Sequence, residues 1–267
     1  MAFSKSVNDT HVDPDMAELE HSHHPEAIRE RLDEGRQPSY LRDAILGGID
    51  GCVTTFAVVA SVAGAGLPGL VAFSLGLASL IADGFSMGVS NYQGVKSDRD
   101  TLERARATEN RHIRHAPDGE REEIRQIFAR KGFAGDVLEE IVETISADKT
   151  LWVDTMLREE HGLELEGVNP VRAAVWTFAA FVLVGSVPLL PFMLPALGLD
   201  VAFILSSTLT AVTFFGIGFM KGIIVGERRF QSGLETLLMG GGAAIIAYLV
   251  GGVFEPMMTE MGLAISR

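Results

Sequence analysis

Charge in this chain is concentrated in blocks, and what separates the blocks is largely apolar over lengths that match a bilayer. Five stretches, near 43–66, 69–91, 171–195, 200–222 and 233–254, each come close to the roughly 20 residues needed to cross about 30 Å of hydrocarbon. Residues 1–42 and 92–169 hold most of the charge. One such stretch could be a buried helix of a large soluble protein, but five in one chain do not fit that alternative. The expected fold is therefore all-α: a five-span transmembrane helical bundle with a three-helix insert between spans two and three. It divides into a polar tail over 1–38, spans one and two over 39–91, the insert over 92–169, spans three to five over 170–254, and a short tail over 255–267.

The basic residues predict the orientation. Thirteen of the 22 Lys and Arg lie from Lys96 to Arg172, five precede span one, and three (Lys221, Arg228 and Arg229) lie at the end of span four and in the turn after it, whereas the turns AGAGLPG and PALGLD have none. The N-terminus and the insert are expected in the cytoplasm and the C-terminus outside. The net charge of −13 then belongs to the soluble parts, which argues against nucleic acid as a partner and favours cations. The one cysteine, Cys52, excludes an intrachain disulfide. The polar first forty residues contain no apolar core of a signal peptide. No phosphate-binding loop or nucleophile–base pairing points to an enzyme or an ATP-driven pump.

Within the insert, the helix of span two is expected to continue through SDRDTLERARATENRHIRH. HAPDGE then turns the chain. Ile124, Ile127 and Phe128 mark an amphipathic helix ending at Gly132, and a longer pattern runs from Ala134 to Gly162 through Val137, Ile141, Ile145, Trp152, Met156 and Leu157. In the tail, one short helix is expected at Pro25–Leu32. The nearby histidines at 21, 23 and 24 form a weak candidate metal tract.

Carboxylates interrupt the first two apolar stretches: Asp50 in span one, and Asp83 in span two with Met87 one turn later. A charge at bilayer depth costs several kcal/mol and defaults to a functional role. An oxygen and a thioether on one face suit a borderline divalent metal. The structural alternatives are Asp50 bonded to Thr54 or Thr55, Asp83 capping a break beside Gly84, and Met87 as packing. In the insert, Glu109 with His112, Glu120 with Glu123, and Met156 with Glu160 each share a helix face. Three such faces meeting would form a metal cluster of the helical-bundle type, although a single Glu pair is more often a solvated face. Gly47 with Gly51, Gly84 with Gly88 and Gly218 with Gly222 permit close helix approach. An odd number of spans with polar groups on the first two suits a homodimer whose pathway lies at the seam.

SYLRDAILGGIDGCVTTFAVVASVAGAGL followed by GLASLIADGFSMGVSNY resembles the vacuolar iron transporter family in its bacterial branch. The likeness runs through WVDTMLREEHGLEL and NPVRAAVWTFAAFVLVGSVPLLPF and covers about 39–254. The resemblance implies five spans, a dimer in the bacterial inner membrane, and export of ferrous iron from the cytosol in exchange for protons. Some members also carry manganese. It makes Asp50 and Met87 the translocation ligands, leaves Asp83 a supporting role, and places metal collection on Glu109, Glu120, Glu123, Met156 and Glu160. Iron is cargo here, and no resident cofactor is implied. Two positions depart from the family pattern: His112 stands for a second glutamate, and Leu157 for a second methionine. Imidazole at 112 adds Zn²⁺, Co²⁺ and Ni²⁺ to the candidate ions. A membrane protein that senses or buffers metal without flux is the alternative.

Overall fold

The computed structural model describes residues 23–33, 39–165, 167–194 and 197–262. All secondary structure among them is helical. The N-terminal unit, residues 1–38, contains α1 (Pro25–Asp33), one residue longer than the sequence predicts. His21 lies outside the described residues. The remaining helices belong to the second unit, Ser39–Arg267.

That unit begins with α2 (Leu41–Gly64), and a turn through Gly66 leads into α3 (Gly69–His115). α3 runs unbroken for 47 residues, so span two and the first helix of the charged segment are one helix, as the sequence predicts. It passes through Asp83 and Gly84 without interruption, and Asp83 therefore caps no break. Ala116 leaves the helical conformation, and Pro117, whose missing N–H is harmless at a first helical position, opens α4 (Pro117–Arg130).

The continuous pattern expected from Ala134 to Gly162 is divided into α5 (Gly135–Ala147) and α6 (Lys149–Glu159). The charged segment thus holds the end of α3 plus three separate helices. The division falls at Asp148, which is extended, and its Oδ1 accepts from the N–H groups of Thr150 at 2.8 Å and Leu151 at 3.2 Å. An aspartate that satisfies otherwise orphaned amides favours a new helix start over continuation.

α7 (Pro170–Gly185) is followed by a 3₁₀ segment, Val187–Met193, bent from it by 42°. Pro188 and Pro191 cannot donate to a continuing α-ladder, which accounts for the tighter, bent continuation. α8 (Leu199–Val225) ends at Gly226 in the left-handed region, and α9 (Arg229–Glu260) completes the described chain. α2, α3, α8 and α9 are long and apolar enough to cross a membrane, and the bent pair makes a fifth candidate.

α7 packs against both α2 and α3 around a core of Phe56, Val59, Leu80, Phe181 and Leu189. A Cβ on Gly47 or Gly51 of α2 would run into the backbone carbonyl of Thr177 or Phe181, so glycine sets the approach of these helices. Large apolar side chains such as Leu70, Phe85, Ile204 and Leu249 stay exposed on the outside, as hydrocarbon surroundings require and water disfavours. A second core, Ile124, Val142, Ile145, Trp152 and Met156, joins α4, α5 and α6, with Ile113 of α3 packed against it.

Candidate metal centre

Glu109 near the end of α3 is 1% exposed, and Glu120 in the first turn of α4 is 4% exposed. The abrupt break at Ala116 folds α4 back on α3, so that His112 Nδ1 lies 3.2 Å from Oε1 of Glu120. α6 is tied to α3 by Arg106 and Asp154 at 2.8 Å, and to the end of α4 by Lys131 and Glu159 at 2.5 Å. Past its end, His161 Nε2 lies 3.0 Å from Oε1 of Glu109 and 3.8 Å from Oε2 of Glu160. Two groups result, Glu109/His112/Glu120 and Glu109/Glu160/His161, each with one ligand atom per residue within 4.8 Å of the others.

The site is short of positive charge. Oε2 of Glu109 and Oε2 of Glu120 are both buried and have no hydrogen-bond partner. A buried carboxylate without compensation is costly, and it relieves that cost by binding a proton or a cation. Burial, then the charges of Glu109 and Glu123, push Glu120 up to about 7. Glu123, more exposed, is also raised, by partial burial and then by Glu160 and Glu109. His161 is raised chiefly by its hydrogen bond to Glu109.

Of the residues expected here, Glu109, His112, Glu120 and Glu160 fall within the two groups. Glu123 lies beside them and feels Glu160, Glu109 and both imidazoles. Met156 is fully buried in the second core, on the helix that carries Glu160 toward the site. Leu157 is also fully buried. His161 was not among the expected residues. It lies past the end of α6, where the N–H groups of Glu160 and His161 both bond the carbonyl of Met156, so helical periodicity does not report its direction.

In the apolar helices, Asp50 and Asp83 both lie on an exposed face of the single chain, and Asp50 feels the charge of Asp83. Thr54 donates to the backbone carbonyl of Asp50 at 2.7 Å, not to its carboxylate, and Thr55 Oγ1 has no partner. The Ser79 hydroxyl bonds the Asp83 carboxylate. Met87 is half-buried against the first core. One turn further on, Asn91 donates to Asp43 at 2.9 Å and to Thr177 at 2.7 Å, joining α3 to α2 and α7. This polar link between three helices also had no signature in the sequence.

A bundle of apolar helices long enough for a bilayer, extended by a charged helical lobe with buried carboxylates, defines an integral membrane protein with a candidate cation site. The chain belongs to the VIT family, which it matches over residues 41–252. It is similar to the vacuolar iron transporter of Toxoplasma gondii, 32% identical over 225 residues, covering 81% of this chain and 74% of the relative. Vacuolar iron transporter 1 of Oryza sativa subsp. japonica is 32% identical over 229 residues, 85% of this chain and 88% of the relative. Vacuolar iron transporter 1 of Arabidopsis thaliana is 31% identical over 216 residues, 80% and 86% of the two chains.

Proposed function

We propose that this protein exports ferrous iron from the cytosol in exchange for protons, working as a homodimer, with manganese and other divalent metals as further cargo. The observation that carries the reading is the pair of buried carboxylates, Glu109 and Glu120, each with an oxygen left without a partner. Family membership supports iron as the cargo. In this reading the bent pair Pro170–Gly185 and Val187–Met193 is the third of five spans, and the charged lobe and N-terminus face the cytoplasm.

The lobe collects the ion. Glu109, Glu120, Glu123 and Glu160 supply oxygen, His112 nitrogen and Met156 a thioether, a mixed set suited to Fe²⁺. The ion then passes to Asp50 and Met87, with Asp83 adding negative charge beside Asp50. Two exposed carboxylates on one apolar face are costly in lipid. A second copy covering that face converts it into a polar seam. Protonation of Asp50 from the external side then weakens its hold on the ion and couples release to proton entry.

Fe²⁺ flux into proteoliposomes, with and without a pH gradient, tests the reading. Asp50→Ala is expected to abolish flux, and undiminished flux in that variant overturns the pathway. Binding without any flux overturns transport in favour of a metal buffer. A single-chain mass by light scattering in mild detergent overturns the dimer.

A further inference from the structure

His112 and His161 each meet one of the two buried carboxylates. His112 stands 3.2 Å from Glu120, and His161 stands 3.0 Å from Glu109. Both rings remain partly open to solvent, with side chains 49% and 33% exposed, while the carboxylates they meet are closed off. The simplest role for such rings is to neutralise buried glutamates as imidazolium ions. Each ring, however, reaches only Oε1 of its glutamate, and Oε2 of both Glu109 and Glu120 stays buried and unpartnered. Histidine pairing alone therefore leaves two buried acceptors, which only a proton shared between the two carboxyl groups or a bound cation satisfies. A divalent cation held between carboxylate oxygen and neutral imidazole nitrogen satisfies both.

The geometry points to His161 as a metal ligand, forming with Glu109 and Glu160 a second half-site that shares Glu109 with His112 and Glu120. This rests on the reading that the charged lobe binds the cargo. It adds a nitrogen donor from a position that helix spacing does not mark. It also makes the lobe selective in its own right. With an imidazole in each half-site, the lobe prefers ions that take nitrogen readily, Zn²⁺ and Co²⁺ beside Fe²⁺, over Mn²⁺, which is content with oxygen.

The test uses the full-length protein in detergent, titrated with Zn²⁺ or Mn²⁺, together with X-ray absorption at the zinc edge. His161→Gln is expected to weaken Zn²⁺ binding by about tenfold or more, with Mn²⁺ affected far less. It should also reduce the imidazole scattering around zinc, which a residue that merely orients Glu109 would not do. Unchanged Zn²⁺ affinity or unchanged imidazole scattering in a normally folded His161→Gln protein overturns the assignment. A measurement on the unaltered chain guards against a folding defect: Zn²⁺ should protect His161, but not exposed His115, from carbethoxylation read by mass spectrometry. Equal modification of His161 with and without Zn²⁺ also overturns it. The underlying reading fails separately. If Glu109→Gln with Glu120→Gln leaves Zn²⁺ stoichiometry unchanged, the lobe is no metal site. If that variant loses metal while His161→Gln does not, only the role of His161 falls.

Discussion

The Nε2 atom of His161 lies 3.0 Å from Oε1 of Glu109, a contact across 52 residues that closes the charged lobe around a pair of buried carboxylates. Without metal, protons are what compensates that charge.

The sign of the resulting pH dependence follows from two groups. Glu120 is held at about 7, well above its ordinary 4.5, so the cost of burying its charge and its repulsion by Glu109 are absent at low pH and destabilise the fold as pH rises through that interval. His161 is raised above 6.5, so its stabilising pairing is complete below 6.5 and is lost as pH passes its raised value. Glu122 is held low by hydrogen bonds from Gln126 and Arg125, and Glu139 by Arg125, so they matter only below the ordinary carboxylate range. The metal-free protein should therefore melt higher near pH 5 than near pH 8, as read by circular dichroism. Saturating Zn²⁺ should reverse that order, because the metal replaces the protons.

Met156 separates packing from ligation. It is fully buried among Ile124, Val142 and Trp152. Met156→Ala should cost about 2–5 kcal/mol in unfolding experiments through the cavity it leaves. Met156→Leu, of similar volume, should cost less than about 1.5 kcal/mol. If the thioether also binds metal, the leucine variant keeps its stability and loses affinity for Fe²⁺. Equal Fe²⁺ affinity in that variant would leave Met156 a packing residue.

Much of this arrangement is legible in the sequence, and what is not has physical reasons. Apolar runs of bilayer length identified the long helices, whereas helical spacing placed Glu109 with His112, Glu120 with Glu123 and Met156 with Glu160 on shared faces without showing that those faces meet. The division at Asp148 escaped because apolar periodicity continues on both sides of it, and only the capping of Thr150 and Leu151 decides the break. His161 escaped because it follows a helix end, where direction is set by a turn. Asn91 escaped because an amide in an apolar helix gives no hint of which neighbours it joins. Asp50 and Asp83 are exposed in the single chain, and helical spacing carries no signal for what faces them.

Two glycines on the long apolar helices should respond in opposite directions. Gly51→Ala places a methyl group against the backbone carbonyl of Phe181, which no rotamer change relieves, and should destabilise by about 1–3 kcal/mol. Gly94→Ala in α3 meets nothing within 4 Å and should stabilise by about 0.5–1 kcal/mol through helix propensity. Unfolding in mixed detergent micelles reads both, and equal effects would contradict the helix packing described.

Asp148→Ala removes the acceptor of two amide hydrogen bonds and should cost about 1 kcal/mol, while Asp148→Asn should retain most of that stability. Loss of stability in both alike would mean that charge, rather than capping, matters there.

The unbroken α3 has a mechanical consequence. From Met87 to Glu109 it rises about 33 Å at roughly 1.5 Å per residue, several times the screening length of about 8 Å at physiological salt. The two candidate sites on it are therefore electrically deaf to each other, but not mechanically so. A lever of that length, tilted by about 10° at its apolar end, would swing Glu109 through roughly 6 Å, more than the spread of either ligand group. A rearrangement of the apolar helices would then be amplified into opening or closing of the lobe, with no hinge in between to absorb it.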